Sequence, residues 1–290
     1  MTRRGLLLFG AMCLIWGVPY LFIKIAVRDL SPATLVFART ALAALLLLPL
    51  AGTRGDLRKL SARWLPLLVF AVVEIAIPWL LLASAEQRLS SSLTALLIAA
   101  VPLIGAAVAI STRSRERLGR RAVAGLVLGF AGVAALVGFD TGNASLAAVA
   151  KVGGVAVCYA VGPIILDRFL SDLPALGVIA ASLALCALAY APVAAVHLPS
   201  RVPGAEVITA VVVLAVVCTA IAFVVFFALI AETGPVRATV ITYVNPAVAA
   251  VAGVATLGES FTAGMGAGFV LILAGSTIAT RGGRTPVEPS

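Results

Sequence analysis

Lys24, Arg39 and Glu74 stand in otherwise apolar runs: WGVPYLFIKIAV (16–27), TLVFARTALAALLLL (34–48) and LVFAVVEIAIPWLLL (68–82). A charge in such surroundings is costly and usually faces a partner or water. Two cations and one acid could hold the two ends of a zwitterion, or the acid could carry a proton. Lys24 is near the end of its run, where a long side chain can reach out to a polar boundary. Arg39 enters early in its run. Glu74 is in the middle and has no such escape. The sequence leaves two readings of Glu74 open: an ion pair with Arg39 or Lys24, or a substrate or proton site.

Polar and aromatic residues gather at the same depth. Trp16, Tyr20, Trp79, Tyr159, Tyr243 and Asn245 are the candidates for lining a cavity, the alternative being that they pack between helices. Pro102 and Pro246 lie well inside their runs, where a proline removes a backbone hydrogen bond and bends a helix. They are candidate kinks or gate elements. Other chemistry is poorly supplied. His197 is the single histidine and lies in a polar gap, so a histidine triad or multi-histidine metal site is not expected. Cys13, Cys158, Cys186 and Cys218 fall in apolar runs without CxxC spacing and read as small hydrophobes. No GxxxxGK[ST] loop or GxSxG motif occurs, and no cofactor or metal is expected.

The elements that position these residues must be membrane helices. Of 290 residues, 62% are hydrophobic and 11% charged. Mean hydropathy is +1.15. A soluble domain is about half apolar and about a quarter charged, so lipid must be the solvent for most of this chain. Ten apolar runs are long enough to span: 6–26, 33–51, 65–84, 92–112, 121–139, 147–166, 173–196, 206–229, 236–256 and 262–281. They are continuous rather than alternating, which argues against a β-barrel. The basic N-terminal run is too long for a signal peptide and has no clear cleavage site. It reads as the first span.

The net charge of +9 sits in the short gaps between runs, with few aromatics beside it, which fits membrane topology rather than nucleic acid. With the N-terminus in the cytoplasm, the inner gaps hold 15 basic residues and the outer gaps 4, Arg28, Arg88, Lys151 and Arg201. Both termini are therefore expected inside.

One pattern occurs twice. Pro102, Glu116, Gly125 and Gly132 recur as Pro246, Glu259, Gly268 and Gly275, offset by close to half the chain. WGVPYLFIK (16–24) has a weaker counterpart in YAVGPIILD (159–167). Two five-span units of common origin, 6–139 and 147–281, would face opposite ways in the bilayer, with 282–290 as a cytoplasmic tail. Inverted repeats of this kind recur in secondary transporters, with a site near the midplane. Glu116 and Glu259 read as helix-end charges beside the spans that start near 120 and 262. GLVLG (125–129) and GMGAG (264–268) read as close-packing motifs between helices.

IWGVPYLFIK in the first run, Pro32 followed by Arg39 in the second, and the twice-used proline, glutamate and glycine pattern resemble the EamA family of the drug/metabolite transporter superfamily. The charged RER at 115–117 departs from that family's usual lead-in to the acid. The resemblance implies an all-α integral membrane carrier of the inner membrane, with ten helices in two inverted five-helix repeats. It also implies export of amino acids or related metabolites, with protons as a candidate coupling ion. The expected site lies between the halves, lined by the first, third, sixth and ninth spans. A channel or scaffold is the first rival; an intramembrane enzyme is the second and lacks a catalytic set. Oligomeric state is left open.

Overall fold

The computed structural model describes residues 2–112, 120–139, 145–199, 201–238 and 240–281. Every regular element among them is helical. We number the helical segments α1 (Arg3–Ala26), α2 (Pro32–Thr53), α3 (Ser61–Glu86) and α4 (Ser91–Ile98 continued by Val101–Thr112). There follow α5 (Arg120–Phe139), α6 (Leu146–Phe169), α7 (Ala175–Val196), α8 (Ala205–Thr233), α9 (Ile241–Leu257) and α10 (Ala263–Arg281). Eight, α1 to α8, are long and apolar enough to cross a membrane; α9 and α10 are shorter apolar helices. Glu116, the 113–119 and 140–144 gaps and the 282–290 tail lie outside the described residues.

Local sequence explains the helix starts. Thr2, Ser31 and Ser90 each accept a hydrogen bond from the backbone N–H three residues on, and Pro32 takes the first helical position of α2. Four helices depart from regular α geometry. The α1 helix breaks at Trp16–Val18 and restarts on Pro19. The α4 helix breaks between Ile98 and Val101, so Pro102 lies at a real discontinuity. Pro246, its expected counterpart, sits inside the unbroken α9. Ala71–Ala76 of α3 and Val213–Ile221 of α8 are wide π-type turns, a geometry often found at functional sites.

Lipid gives helices no hydrophobic reason to associate, so small residues and close packing must hold them. The largest contacts join α5 to α10 and α2 to α7, with α3 on α6, α1 on α8 and α4 on α9. In the α5–α10 crossing four glycines interlock. A Cβ on Gly125 would fall 2.8 Å from the Gly275 carbonyl oxygen, and one on Gly275 2.6 Å from that of Gly125. A Cβ on Gly132 would fall 2.7 Å from the Gly268 oxygen, and one on Gly268 2.9 Å from that of Gly132. Gly129 also takes part, since a Cβ on Gly275 would strike its backbone, whereas Gly266 meets only Phe261. The close-packing role thus belongs to the glycines of the longer repeat pattern and only partly to the GMGAG stretch.

Candidate functional site

The α1 break and the two wide turns border one cavity of about 230 Å³, to which the α4 break supplies no lining residue. The second piece of α1 supplies Pro19, Tyr20 and Ile23, and Trp16 comes from the break itself. Arg39 comes from α2; Glu74, Ile75, Trp79 and Leu82 from α3; Tyr159 from α6; Cys218 and Phe223 from α8; and Asn245 from α9. A π-type turn shifts the phase of side chains around a helix. Here Glu74 lies on one such turn and Cys218 on the other, and both reach the same space.

Seven of the nine expected site residues line this cavity: Trp16, Tyr20, Arg39, Glu74, Trp79, Tyr159 and Asn245. Lys24 and Tyr243 do not. The Lys24 ammonium donates to the main-chain oxygens of Glu86 (2.6 Å) and Leu89 (2.7 Å), where it caps the end of α3. Tyr243 is half-buried off the lining.

Of the two readings left open for Glu74, the ion pair with Arg39 or Lys24 is not formed. Arg39 is buried, its guanidinium lies 3.7 Å from the centre of the Trp79 ring, and its Nε donates to Thr219 Oγ1 at 2.9 Å. An aromatic face and a hydroxyl thus take the place of a carboxylate. Glu74 Oε2 is buried with no hydrogen-bond partner, and the carboxylate packs against Gly162 of α6, where a Cβ would overlap it. Tyr159 lies within electrostatic reach of both Arg39 and Glu74. The amide of Asn245, oriented to satisfy both groups, donates to the carbonyls of Ile241 (3.0 Å) and Cys13 (3.3 Å) and ties α9 to α1. Trp16 also packs on Phe226, with ring centres 4.7 Å apart.

The second and eighth helices line the cavity as well as the first, third, sixth and ninth. Cys218 and Phe223 were missed because nothing in VVVLAVVCTAIAFVVFF (211–227) marks one face as polar. A periodicity-based reading also cannot see a π-type turn. Thr219 was missed for the same reason, although a hydroxyl near a buried arginine is the signal that could have found it.

One end of the cavity abuts an apolar plug, in which the lining residues Ile23 and Leu82 pack with the buried Leu30, Leu35, Val207 and Leu214. Beyond this plug lies Glu259, expected at the head of α10. The carboxylate instead caps α4. Its Oε1 accepts from Ser91 N (2.7 Å) and Ser91 Oγ (3.0 Å), and its Oε2 from Ser92 N (2.9 Å) and Ser92 Oγ (2.5 Å). Gly258, with φ of 64°, ends α9 in the left-handed region and turns the chain toward this position. Gly253 leaves the room for the carboxylate, since a Cβ there would strike Glu259 and both serine hydroxyls. Burial works to raise the proton affinity of Glu259. The hydroxyl and amide of Ser92 and the amide and hydroxyl of Ser91 outweigh it and hold the carboxyl below its ordinary pKa.

A bundle of apolar, membrane-length helices around a central cavity with buried charges defines a polytopic membrane protein built to hold a small molecule within the bilayer. The EamA-like transporter family profile matches residues 3–138 and again 147–281. The chain belongs to this family and is a membrane transporter. An "Uncharacterized inner membrane transporter YedA" of Escherichia coli K12 is 30% identical over 278 residues, which is 90% of this chain and 86% of that protein. Proteins of the same name from Escherichia coli O6:H1 and O157:H7 match equally well. A protein of known crystal structure, 21% identical, superposes with a TM-score of 0.67 over 97% of this chain and 98% of its own, a likeness of fold.

Proposed function

We propose that the protein is a secondary-active carrier of small zwitterionic metabolites, amino acids or close relatives, working by alternating access. The observation that carries this is the cavity, which offers Arg39 for an anionic end and the unpartnered Glu74 oxygen for a cationic end. Trp16, Tyr20 and Tyr159 are placed to hold the body of the ligand. A volume of about 230 Å³ suits a ligand smaller than the drug-sized molecules of ordinary pockets, which need about 300–1,000 Å³.

Alternating access requires two halves able to exchange roles, and the packing supports an inverted repeat. In the repeat pattern Gly125 corresponds to Gly268 and Gly132 to Gly275. The contacts run crosswise, Gly125 with Gly275 and Gly132 with Gly268, as an in-plane two-fold axis demands. The other pairings obey the same relation: α2 with α7, α4 with α9, and α3 on α6 matched by α8 on α1. The two π-type turns fall on α3 and α8, equivalent helices in this scheme. The ten-helix count then includes α9 and α10 as shorter spans, and the domains are 6–139 and 147–281. In this reading the basic gaps face the cytoplasm of an inner membrane together with both termini, and the apolar plug and Glu259 then lie on the outer side. Export is the direction we assign, with protons as the coupling ion.

Metabolites released by cells expressing the protein, compared with cells expressing Arg39→Ala, test this reading. We expect one or a few amino-acid-like compounds to accumulate outside only with the unaltered protein. Identical release profiles would remove the proposal.

A further inference from the structure

Glu86, the last residue of α3, was not among the ionisable groups the sequence singled out. It has no exposed surface, and neither carboxylate oxygen has a hydrogen-bond partner. The neighbouring elements bring charged and titratable groups to it. The α1 helix brings Tyr20 and Lys24, α2 brings Arg39, and the α9–α10 connection brings Glu259. The α6 helix brings Lys151 to the last turn of α3, and Arg88 follows on the exposed turn beyond it. None of them donates to the Glu86 carboxylate. Lys24 bonds main-chain oxygens, Arg39 Nε bonds Thr219, and Lys151 bonds Ser84 Oγ at 2.5 Å. The Glu259 carboxylate is itself taken by Ser91 and Ser92.

The α3–α4 corner is fastened on both sides of Glu86. Lys24 ties the end of α3 to α1, and Glu259 ties the start of α4 to the α9–α10 connection. An ionised carboxylate without a donor in this position is strongly disfavoured, whereas the neutral acid can stay. The charged form needs water, and water reaches Glu86 only if the corner lifts.

We propose that Glu86 is a proton-binding site of this carrier, holding a proton while the fastened end is sealed and releasing it to the aqueous phase on that side when the corner opens. The carboxylate gains one proton from water on that side and returns it there, and no other group changes its bonds. This rests on the alternating-access reading but not on the identity of the substrate. The sign follows from the burial. Protonation favours the sealed form, and loss of the proton favours the form open at that end.

Cys218 reports the opening, because it lines the cavity behind the plug and is buried in the sealed form. The experiment uses full-length protein in intact cells with Cys218 as the sole cysteine (C13A, C158A, C186A) and a charged, membrane-impermeant thiol reagent outside. External pH is varied from about 5 to about 9, spanning the range over which perturbed carboxyls titrate. Labelling, divided at each pH by that of a reference cysteine at exposed position 88 so that ionisation of the thiol itself cancels, is expected to rise by about tenfold or more toward alkaline pH, since each unit of difference in proton affinity between two conformations is a tenfold shift. Glu86→Gln, which mimics the neutral acid at the same size, is expected to label slowly at every pH while eluting as a monodisperse protein. A flat pH profile in the protein with Glu86 intact overturns the proposal, whatever the variant does. A pH rise retained in Glu86→Gln but lost in Glu74→Gln assigns the proton to Glu74 and equally overturns it. Labelling absent at every pH, with or without an amino-acid mixture inside the cell, overturns alternating access as well. Labelling that occurs but ignores pH removes only the role of Glu86.

Discussion

Glu259→Ala should destabilise the fold without touching the cavity. The carboxylate accepts from two backbone N–H groups and two hydroxyls, all on Ser91 and Ser92, which are fully buried. The hydroxyls can rotate to other acceptors; Ser92 Oγ already lies 3.5 Å from the Ala250 carbonyl. The two N–H groups are fixed in direction by the first turn of α4. Each costs about 1–3 kcal/mol when left without an acceptor, and loss of the charge at a helix N-terminus adds about 0.3–1 kcal/mol. Glu259 itself is half-exposed, so water can replace part of what is removed. We therefore expect about 2–3 kcal/mol, which corresponds to about 4–12 °C in thermal midpoint for a chain of this size class. The assay is thermal unfolding of purified protein in detergent, followed by elution profile or cysteine-reactive dye. Because the Glu259 pKa is held below its ordinary value, its contribution is fully present above the usual carboxylate range and is lost as pH falls through the lowered one. The gap between the two proteins should therefore close in acid. A midpoint for Glu259→Ala within about 1 °C of the unaltered protein at neutral pH, where a shift several times larger is expected, would mean that this carboxylate does not cap α4.

Other outcomes follow from the same geometry. Glu74→Gln keeps the fold but weakens substrate affinity by about tenfold or more, because a hydrogen bond to a charged group is worth about 1.5–3 kcal/mol; unchanged affinity in a binding or transport titration would free Glu74 of that role. Gly275→Leu should lower stability by at least about 1–3 kcal/mol, since its side chain must enter the backbone of α5; a stable, folded variant would count against the interlocked crossing. Arg39→Lys keeps the charge but loses the stack on Trp79 and the Nε bond to Thr219, and is expected to impair transport rather than preserve it. Single cysteines at exposed positions 58 and 171 should react only from the cytoplasm, and those at 88 and 201 only from outside; the reverse pattern inverts the topology, and a mixed one breaks the span count.

Most of the fold could be read from sequence because membrane spans announce themselves by length and apolarity, a property of each segment alone. The interlocking glycines were legible in part: GLVLG and GMGAG marked Gly125 and Gly268 as packing positions, whereas Gly132 and Gly275 stood out only as members of the doubled pattern. Seven of the nine candidates line one cavity because polar and aromatic side chains are conspicuous at that depth. Partnerships were harder. Lys24 looked like a cavity cation, but the sequence cannot reveal that carbonyls freed at the end of α3 lie within its reach. Glu259 precedes α10 in the chain and caps α4 in space, a contact across 167 or 168 residues that no local rule predicts. Glu86 escaped notice because it sits at the end of its run, in ASAEQRLSSS (83–92), where an acid ordinarily reads as solvated. Its burial comes from tertiary packing around that corner, which a local reading does not contain.

Counterflow tests carriage by alternating access through the Arg39–Glu74 cavity most directly. Purified protein in proteoliposomes loaded with an unlabelled amino acid should take up the labelled compound saturably and transiently above equilibrium. Glu74→Gln should abolish or sharply reduce that overshoot. Uptake that never exceeds equilibrium and does not saturate, across a broad panel of amino acids and related metabolites, would contradict the account and leave a channel or scaffold in its place.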